Sequence, residues 1–427
     1  MSDARATWRT LDPRVRIVVL SDALIWLSLM AGFVVLPWWV AREGGVADLA
    51  VWAIVRSVVG LLAMPMLSPL ADRYRARPLI IVAMVVYTAT AIGMAVLAQA
   101  DQYHFGVLLA LRAVSAAAAA AVQPAMNKLL TDLAPDGRLT AVLSAQQGAQ
   151  SVGRLIGPAL GGAMLVAGVA AALWLHAVLL VGATVLAMRL SDAPRHAATA
   201  ARWWPELRAG LRAIWRVPLE RHWNVVNFVS WAFLFPALTM LLPLRLQSLG
   251  LPGVWLGLCE AGAAFGIVVG AFGFSRWSID RFGRYATRVV FAMTQGLALA
   301  AVGWAEQPAV LVVLFGLSGL STSAMGLVGL THRSLARPDA FRARMFAGSI
   351  AVTQLAASIG PALAGVSLAH ADVSVVYVAF GLLGGITSLA LMLVPGFRAF
   401  MRASEAQAKD WYVRHHPQAF EDLPAKP

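Results

Sequence analysis

The sequence predicts an all-α membrane protein with twelve transmembrane helices arranged as two six-helix repeats. Of 427 residues, 59% are hydrophobic and only 13% are charged, about half the charged fraction of a typical soluble domain. Apolar runs of roughly 20 residues, enough to cross a bilayer as a helix, recur along the chain. The basic residues concentrate in alternate connecting segments. A soluble helical enzyme of unusual composition is the alternative, but a soluble fold could not cover so much apolar surface with so few charges.

Twelve apolar runs are the predicted spans, which we number 1 to 12 in chain order. The first six lie near residues 15–40, 46–67, 78–99, 103–127, 139–168 and 170–190. The other six lie near residues 223–247, 254–275, 286–304, 308–331, 344–368 and 373–396. Nothing shows the ten-residue alternation of an outer-membrane barrel strand. The first run is longer than a signal peptide requires and has no small-residue cleavage site, which favours a retained helix.

The basic residues predict the orientation of the spans. With the N-terminus placed in the cytoplasm, 29 of the 34 lysines and arginines fall in cytoplasmic segments; the outer loops hold Arg42 and Arg245, and Arg56, Arg112 and Arg154 lie within spans. This asymmetry follows the positive-inside rule. The net charge of +13 therefore suits an anionic membrane surface, and no nucleic-acid partner is expected. The predicted location is the inner membrane, with both termini cytoplasmic.

The predicted organisation has four parts. Residues 1–190 form an N-terminal six-helix bundle, and residues 223–396 form a C-terminal one. Between them, residues 191–222 form a cytoplasmic central loop with an amphipathic helix, because apolar side chains from Trp204 to Trp215 share one face while arginines repeat every four residues on another. Residues 397–427 form a polar cytoplasmic tail, which is expected to be partly disordered.

Two sequence patterns occur at matching places in both halves. The loops after spans 2 and 8 each place an Asp-Arg pair before further arginines, and their candidate gating residues are Asp72, Arg73, Arg77, Asp280, Arg281 and Arg284. Late in spans 5 and 11 come glycine-proline patterns, with candidate hinge residues Gly153, Gly157, Pro158, Gly161, Gly162, Gly360 and Pro361. Matching signals indicate two structural repeats, as in many secondary transporters.

These patterns resemble those of the major facilitator superfamily. The loops are similar to its G-x-L-A-D-R-x-G-R-K signature, and span 5 is similar to the G-x3-G-P-x2-G-G signature of its antiporters. Among facilitators, the spacing most resembles the drug/proton antiporter branch with macrolide efflux proteins and the enterobactin siderophore exporter. The sequence departs from the signature at Ser68, Arg75 and Arg276, which replace glycines.

The resemblance implies a role for each pattern. The loop charges would latch one alternating-access state through ion pairs, whereas positive-inside topology alone would explain the arginines but not the repeated Asp72 and Asp280. The span-5 glycines would form a hinge or tight seam that limits leak. Ordinary small-residue packing is the alternative explanation, and Pro158 removes one helical hydrogen bond.

Five ionisable residues lie within spans, where a charge costs about 2.5–3.5 kcal/mol unless it faces a cavity or a partner. The candidates for proton coupling are Asp22, Arg112 and Glu260. Asp22 is the expected proton carrier, and Arg112 matches the arginine of a span-4 R-x-x-x-G facilitator pattern, with Ala116 replacing the glycine. Asp22 and Glu260 also lie near span ends, so that a solvated carboxylate is the alternative for each.

Four further residues are assigned to a substrate cavity. They are Arg56, Arg154, Trp26 and Trp231. Arg56 and Arg154 could equally pair with Asp22. His176, although it lies within a span, is expected to be a satisfied polar residue and is given no role.

The expected function is export of a small molecule by proton-coupled alternating access. Three arginines against two carboxylates within the spans favour a polar or anionic substrate such as a siderophore. Multidrug or macrolide efflux is the second hypothesis, lipid flipping the third, and a polytopic enzyme using His332 the fourth. No cofactor or metal is expected, since Cys259 is the only cysteine and no phosphate-binding loop occurs. The expected partners are the substrate, protons and membrane lipids, and the chain is expected to be a monomer.

Overall fold

A computed structural model describes residues 12–73, 75–134, 138–191 and 203–420 of the chain. Side chains are not described for residues 64–74, so Asp72 and Arg73 lie outside what can be said about side-chain contacts. Throughout the described residues the regular structure is helical, without β-strands. The all-α prediction is therefore confirmed.

Spans 1 to 6 form from four long helices and one double helix. Pro13–Arg73 contains spans 1 and 2, separated by a break at Gly45, whose φ is 65°. Spans 3 to 6 are Ala76–Gln99, Phe105–Leu133, Leu139–Met164 and Val169–Met188.

Spans 7 to 12 follow the same plan with more interruptions. Span 7 is Pro218–Thr239 continued, after a 43° bend, by Leu241–Ser248. Span 8 is Val254–Val269 with a π-helical turn at Gly270–Phe274, and it continues into Ser275–Trp304, which contains span 9 after a break at Gly283. Spans 10 to 12 are Pro308–Ala336, Asp339–Leu368 and Val373–Leu389.

Hydropathy alone identifies fewer spans than the twelve that the helix breaks define. Eight helices among the described residues are long and apolar enough to cross a membrane, or nine with the bent span 7. Two of these are 51-residue helices that each contain two spans joined at a glycine break. Span 5 fails the hydropathy test because it carries Gln146, Gln150 and Arg154. All three interact with the buried carboxylate of Asp22, the glutamines by hydrogen bonds and Arg154 through its charge.

The backbone at Gly283 and Arg75, which occupy matching positions in the two loops, explains why a glycine is kept in the second loop and replaced in the first. Its φ of 81° lies in the left-handed region, where only glycine is unstrained. Arg75, at the matching position of the first loop, has an extended backbone with φ −63° and ψ 136°. The first loop therefore has no need of a glycine at this position.

The chain divides into two compact units. Unit 1 is Met1–Ala201 with Gly250–Ala261, and unit 2 is Arg202–Leu249 with Gly262–Pro427. In unit 1, a core of aliphatic residues and methionines, among them Val18, Met84, Met126 and Leu180, lies between spans 1, 3, 4 and 6. In unit 2, span 9 packs on spans 10 and 12, and span 7 packs on spans 11 and 12.

The amphipathic helix of the central loop is Trp203–Arg216, in unit 2. It packs on the start of span 11: Ile214 is buried, and a Cβ on Gly210 would lie 2.2 Å from the Arg344 carbonyl oxygen. Trp215, which the sequence places on the same apolar face, is 63% exposed, so only part of the predicted face is buried. The helix is therefore part of unit 2 rather than an independent element.

The expectation of a partly disordered tail is wrong for residues 397–420. Three short helices, Phe397–Arg402, Glu405–Ala408 and Trp411–His415, fold there. Phe397, Phe400, Met401, Tyr412 and Phe420 are buried in one cluster with Trp223. These aromatic residues supply enough apolar surface to hold the segment against unit 2, although its average composition is polar.

Candidate functional site

Asp22 is a buried carboxylate on span 1 of unit 1. Its side chain is 1% exposed, and its Oδ2 accepts hydrogen bonds from Gln150 Nε2 at 2.8 Å and Gln146 Nε2 at 3.0 Å. Its Oδ1 has no hydrogen-bond partner among the described residues. Two neutral donors can hold the carboxylate whether it is charged or protonated, because neither a counter-ion nor a fixed proton is required.

Arg154 completes this group, which we call the Asp22 network. Gln146, Gln150 and Arg154 are four residues apart, so they lie on one face of span 5. The charge of Arg154 interacts with that of Asp22, and its guanidinium lies 4.1 Å from the centre of the Trp26 ring. Two of the four residues assigned to a cavity, Trp26 and Arg154, thus contact each other beside the assigned proton carrier.

The span-5 glycines allow span 1 to approach closely. A Cβ on Gly153 would lie 2.7 Å from Trp26 Cβ, one on Gly157 would lie 2.5 Å from Met30 Cβ, and one on Gly161 would lie 2.7 Å from the Ala31 carbonyl oxygen. Since no side chain fits there, this stripe sets the separation that lets span 5 glutamines reach Asp22.

The remaining motif residues of span 5 face the start of span 8, which belongs to unit 1. A Cβ on Gly162 would lie 2.5 Å from the Gly257 Cα, and one on Gly257 would lie 2.7 Å from the Pro158 carbonyl oxygen. Span 5 therefore packs closely against two helices: span 1 at Gly153, Gly157 and Gly161, and the start of span 8 at Gly162.

Unit 2 repeats this arrangement with fewer glycines. A Cβ on Gly360 of span 11 would lie 2.6 Å from the Ala232 carbonyl oxygen and 2.8 Å from Pro236 Cγ, both on span 7. Pro361 lies next to it inside the same helix, Asp339–Leu368. The first and fifth helices of each half therefore pack closely at the glycine-proline pattern.

The other assigned charges of unit 1 form a second group. Arg56 interacts electrostatically with Glu260 and Arg112, and its guanidinium lies 5.2 Å from the Phe33 ring. Arg112 donates to Ser115 Oγ at 3.1 Å and lies 5.8 Å from the Trp52 ring. Of the two arginines that could have paired with Asp22, Arg154 lies with Asp22 and Arg56 interacts with Glu260.

Of the six candidate gating residues, four have described side chains: Arg77, Asp280, Arg281 and Arg284. Arg77 donates to the Met188 carbonyl oxygen at 3.3 Å. In the second loop, Asp280 makes a long, exposed contact of 3.9 Å with Arg276, Arg281 lies over Phe282, and Arg284 donates to Glu405 of the tail at 2.8 Å. An exposed pair such as Asp280–Arg276 is worth little energy.

Sequence reasoning missed a cluster around Glu220, which we call the Glu220 cluster. This carboxylate is fully buried in unit 2 and accepts hydrogen bonds from Arg333 at 2.7 Å and Arg337 at 2.8 Å, and from the Tyr412 hydroxyl at 2.8 Å. Burial raises the pKa of the Tyr412 phenol well above its ordinary value, and the Glu220 charge adds to the effect. Tyr412 therefore stays protonated and donates throughout the physiological pH range.

The signal for this cluster in the sequence is weak. Glu220 belongs to the predicted central loop and the two arginines to the loop after span 10. They lie more than 100 residues apart in the chain, and no local spacing relates them. The i, i+4 spacing of Arg333 and Arg337 on one helical face, directed towards a single acid at a helix start, was the available clue.

Two histidines have structural surroundings. His176 Nδ1 lies 2.7 Å from the Ser28 hydroxyl oxygen, as expected for a satisfied polar residue. His332 is 0% exposed, and its Nε2 lies 2.9 Å from the Ala403 carbonyl oxygen of the tail. The residue needed by the enzyme hypothesis is thus enclosed. No group of three potential metal ligands occurs in the described part of the chain.

A twelve-helix membrane fold with internally repeated halves and buried charges defines the class of polytopic transporters. The chain matches the model of the Major Facilitator Superfamily over residues 18–328, and it belongs to this family.

Solved structures show the same fold at low sequence identity. The nucleoside transporter NupG aligns with a TM-score of 0.73 at 13% identity, covering 90% of this chain and 100% of that one. A bacterial homologue of the human lysosomal transporter Spinster aligns at 0.66 and 15% identity, covering 93% and 99%. The human organic anion transporter MFSD10 aligns at 0.57 and 17% identity, covering 89% and 100%. No curated protein sequence matches the chain.

Proposed function

We propose that this facilitator exports a small polar or anionic molecule, such as a siderophore, from the cytoplasm by proton-coupled alternating access in the inner membrane. The observation that carries the proposal is the Asp22 network. A membrane-buried carboxylate is expensive to maintain and marks an ion or proton pathway in most membrane proteins. Here it is held by two neutral glutamines, with one arginine charge nearby.

The packing beside Asp22 supports the coupling of a proton to a helix movement. Its partners lie on span 5, which contacts span 1 through a glycine stripe. Protonation removes the charge that interacts with Arg154 and weakens the two hydrogen bonds, since a charged acceptor binds a donor more strongly than a neutral one. The relative positions of spans 1 and 5 would thus depend on whether Asp22 carries a proton.

The substrate class rests on charge. The assigned residues within the spans of unit 1 include three arginines and two carboxylates, which leaves an excess of positive charge for an anionic group. Macrolide or multidrug efflux is the second candidate, favoured by the aromatic surface of Trp26 beside Arg154, which suits a bulky apolar compound.

Transport into inverted membrane vesicles tests the proposal. Vesicles containing the protein are supplied with a panel of siderophores, aromatic acids and macrolides, with the proton gradient intact or collapsed by a protonophore. We expect accumulation of an anionic compound that stops when the gradient is collapsed. Accumulation that persists without the gradient would rule out proton antiport, and accumulation of macrolides alone would favour the second candidate. Vesicles carrying Arg112→Ala should lose coupled accumulation.

A further inference from the structure

We propose that unit 2 contains a subsite for the carboxylate of an aromatic acid, formed by Arg288 and the cavity beside it. This inference deepens the proposed function, on which it rests for the claim that the ligand is a transported molecule. The cavity lies among spans 7, 9, 10 and 12 and has a volume of about 260 Å³. That volume suits one ring with its acid group rather than a whole drug-sized ligand.

Arg288 is a buried cation that forms no ion pair with an acid among the described residues. It is 8% exposed, and its Nε is buried without a hydrogen-bond partner in the described part of the chain. Its guanidinium carbon lies 5.8 Å from the centre of the Trp223 ring. A buried charge with no partner is destabilising. An anion that enters the cavity would supply the missing negative charge and would be bound for that reason.

The neighbouring charged residues do not supply a negative partner for Arg288. Arg333 is the other charged residue that lines the cavity, and it already donates two hydrogen bonds to Glu220. Arg337 shares the same carboxylate. Arg333 and Arg337 therefore share one glutamate, and the charge of Arg288 interacts with that of Arg333, which leaves an excess of positive charge around the cavity.

A second orphaned group lies on the same cavity wall. The Ser230 hydroxyl is buried and has no hydrogen-bond partner among the described residues. Gln295, 2% exposed, donates to Thr322 at 2.9 Å, and both line the cavity. Buried polar groups are normally satisfied, and a ligand oxygen placed between Arg288 and Ser230 would satisfy two of these donors at once.

The shape of the ligand follows from the remaining walls. Trp223, Trp231, Leu234 and Met325 supply aromatic and apolar surface. A guanidinium binds a planar carboxylate with two parallel hydrogen bonds, and a tryptophan beside it favours a flat ring. An aromatic carboxylate satisfies both requirements, and benzoate is the simplest probe.

Calorimetric titration of the purified full-length protein with benzoate tests the subsite, and benzamide serves as the neutral compound of the same shape. We expect benzoate to bind and benzamide to bind at least about tenfold more weakly, because charged hydrogen bonds are lost. Arg288→Met should weaken benzoate binding by at least about tenfold, and Ser230→Ala by a few fold. Arg342→Gln, which removes an exposed arginine of the same unit, should bind benzoate like the wild type.

Three results would overturn the proposal: no benzoate binding by the wild type, equal binding of benzamide, or unchanged benzoate binding by Arg288→Met. The melting temperature without ligand is a second readout. Because a buried charge without an acidic partner does not stabilise the fold, Arg288→Met should have a melting temperature no lower than that of the wild type. A clear decrease in melting temperature would contradict the claim that Arg288 has no acidic partner. Binding is measured without transport, so failure of the vesicle assay would leave the subsite standing, and failure of binding would leave proton-coupled export standing.

Discussion

At the scale of single residues, the chain places its buried acids in two contrasting environments. Asp22 is held by glutamines, with one arginine interacting at longer range. Glu220 is held directly by two arginines and a tyrosine. The first environment tolerates both protonation states, whereas the second strongly favours the charged state because two cations contact the same carboxylate. We therefore propose that Asp22 exchanges the proton and that Glu220 has a structural role.

Glu220→Gln tests this assignment. The substitution keeps the shape but leaves Arg333 and Arg337 facing a neutral amide, and loss of one partner from a buried ion pair costs about 3–5 kcal/mol. We expect a clear fall in melting temperature in detergent. The matched control is Glu405→Gln, which removes an exposed partner of Arg284 and should cost at most about 1 kcal/mol. Equal effects of the two substitutions would show that the Glu220 cluster does not stabilise unit 2.

Sequence reasoning found one of these acids and missed the other for a physical reason. Asp22 is conspicuous because it interrupts an apolar run, so its cost in a bilayer is visible in the sequence. Glu220 lies beside a basic loop, so the sequence predicts a solvated side chain. In the structure the tail folds over it, and Tyr412 donates a hydrogen bond to it. The glutamines of span 5 give no such signal in the sequence, because a count of charged residues does not include neutral amides.

At the scale of helices, the glycine pattern of span 5 sets how closely span 1 can approach. Its signature was recognisable in the sequence, but which helix it faced was not, because periodicity identifies a stripe without naming the partner. The structure assigns Gly153, Gly157 and Gly161 to span 1 and Gly162 to the start of span 8.

Gly157→Ala should separate spans 1 and 5. The added Cβ would lie 2.5 Å from Met30 Cβ and 2.8 Å from the Leu27 carbonyl oxygen, and overpacking of this kind costs about 1–3 kcal/mol. We expect a lower melting temperature and slower transport. Gly148→Ala is the control on the same helix, because its Cβ would meet nothing within 4 Å and alanine favours a helix by about 1 kcal/mol. A Gly157→Ala protein as stable and active as Gly148→Ala would refute the tight seam.

The tail shows the limit of reading structure from composition. Residues 397–427 are polar on average, which predicts disorder, yet five aromatic and methionine side chains at irregular spacing bury themselves in unit 2. Neither helical nor strand periodicity signals such a segment, because its short helices, turns and bends place the side chains individually. The twelve spans were predictable because a segment inside the bilayer must satisfy its own backbone hydrogen bonds. A long apolar run must therefore form a helix, and such runs are recognisable in the sequence.

At the scale of the whole molecule, the distribution of basic residues predicts that both ends of the chain face the cytoplasm. Labelling in a background with Cys259→Ala tests this, since Cys259 is the chain's only cysteine and is buried. In intact cells, a membrane-impermeant maleimide should label Arg42→Cys, at an exposed site near the end of span 1, and should not label Glu405→Cys in the tail. Both sites are exposed in the fold, so the reverse pattern would overturn the orientation and with it the proposed direction of export.

The central claim is that Asp22 couples a proton to movement of the substrate. Its most direct test compares two modes of transport by Asp22→Asn in reconstituted vesicles, using the compound identified by the vesicle panel. We predict that the variant retains exchange of labelled for unlabelled substrate, because asparagine still accepts a hydrogen bond from span 5, but loses accumulation driven by a proton gradient. Gradient-driven accumulation at the wild-type level by Asp22→Asn would contradict the account.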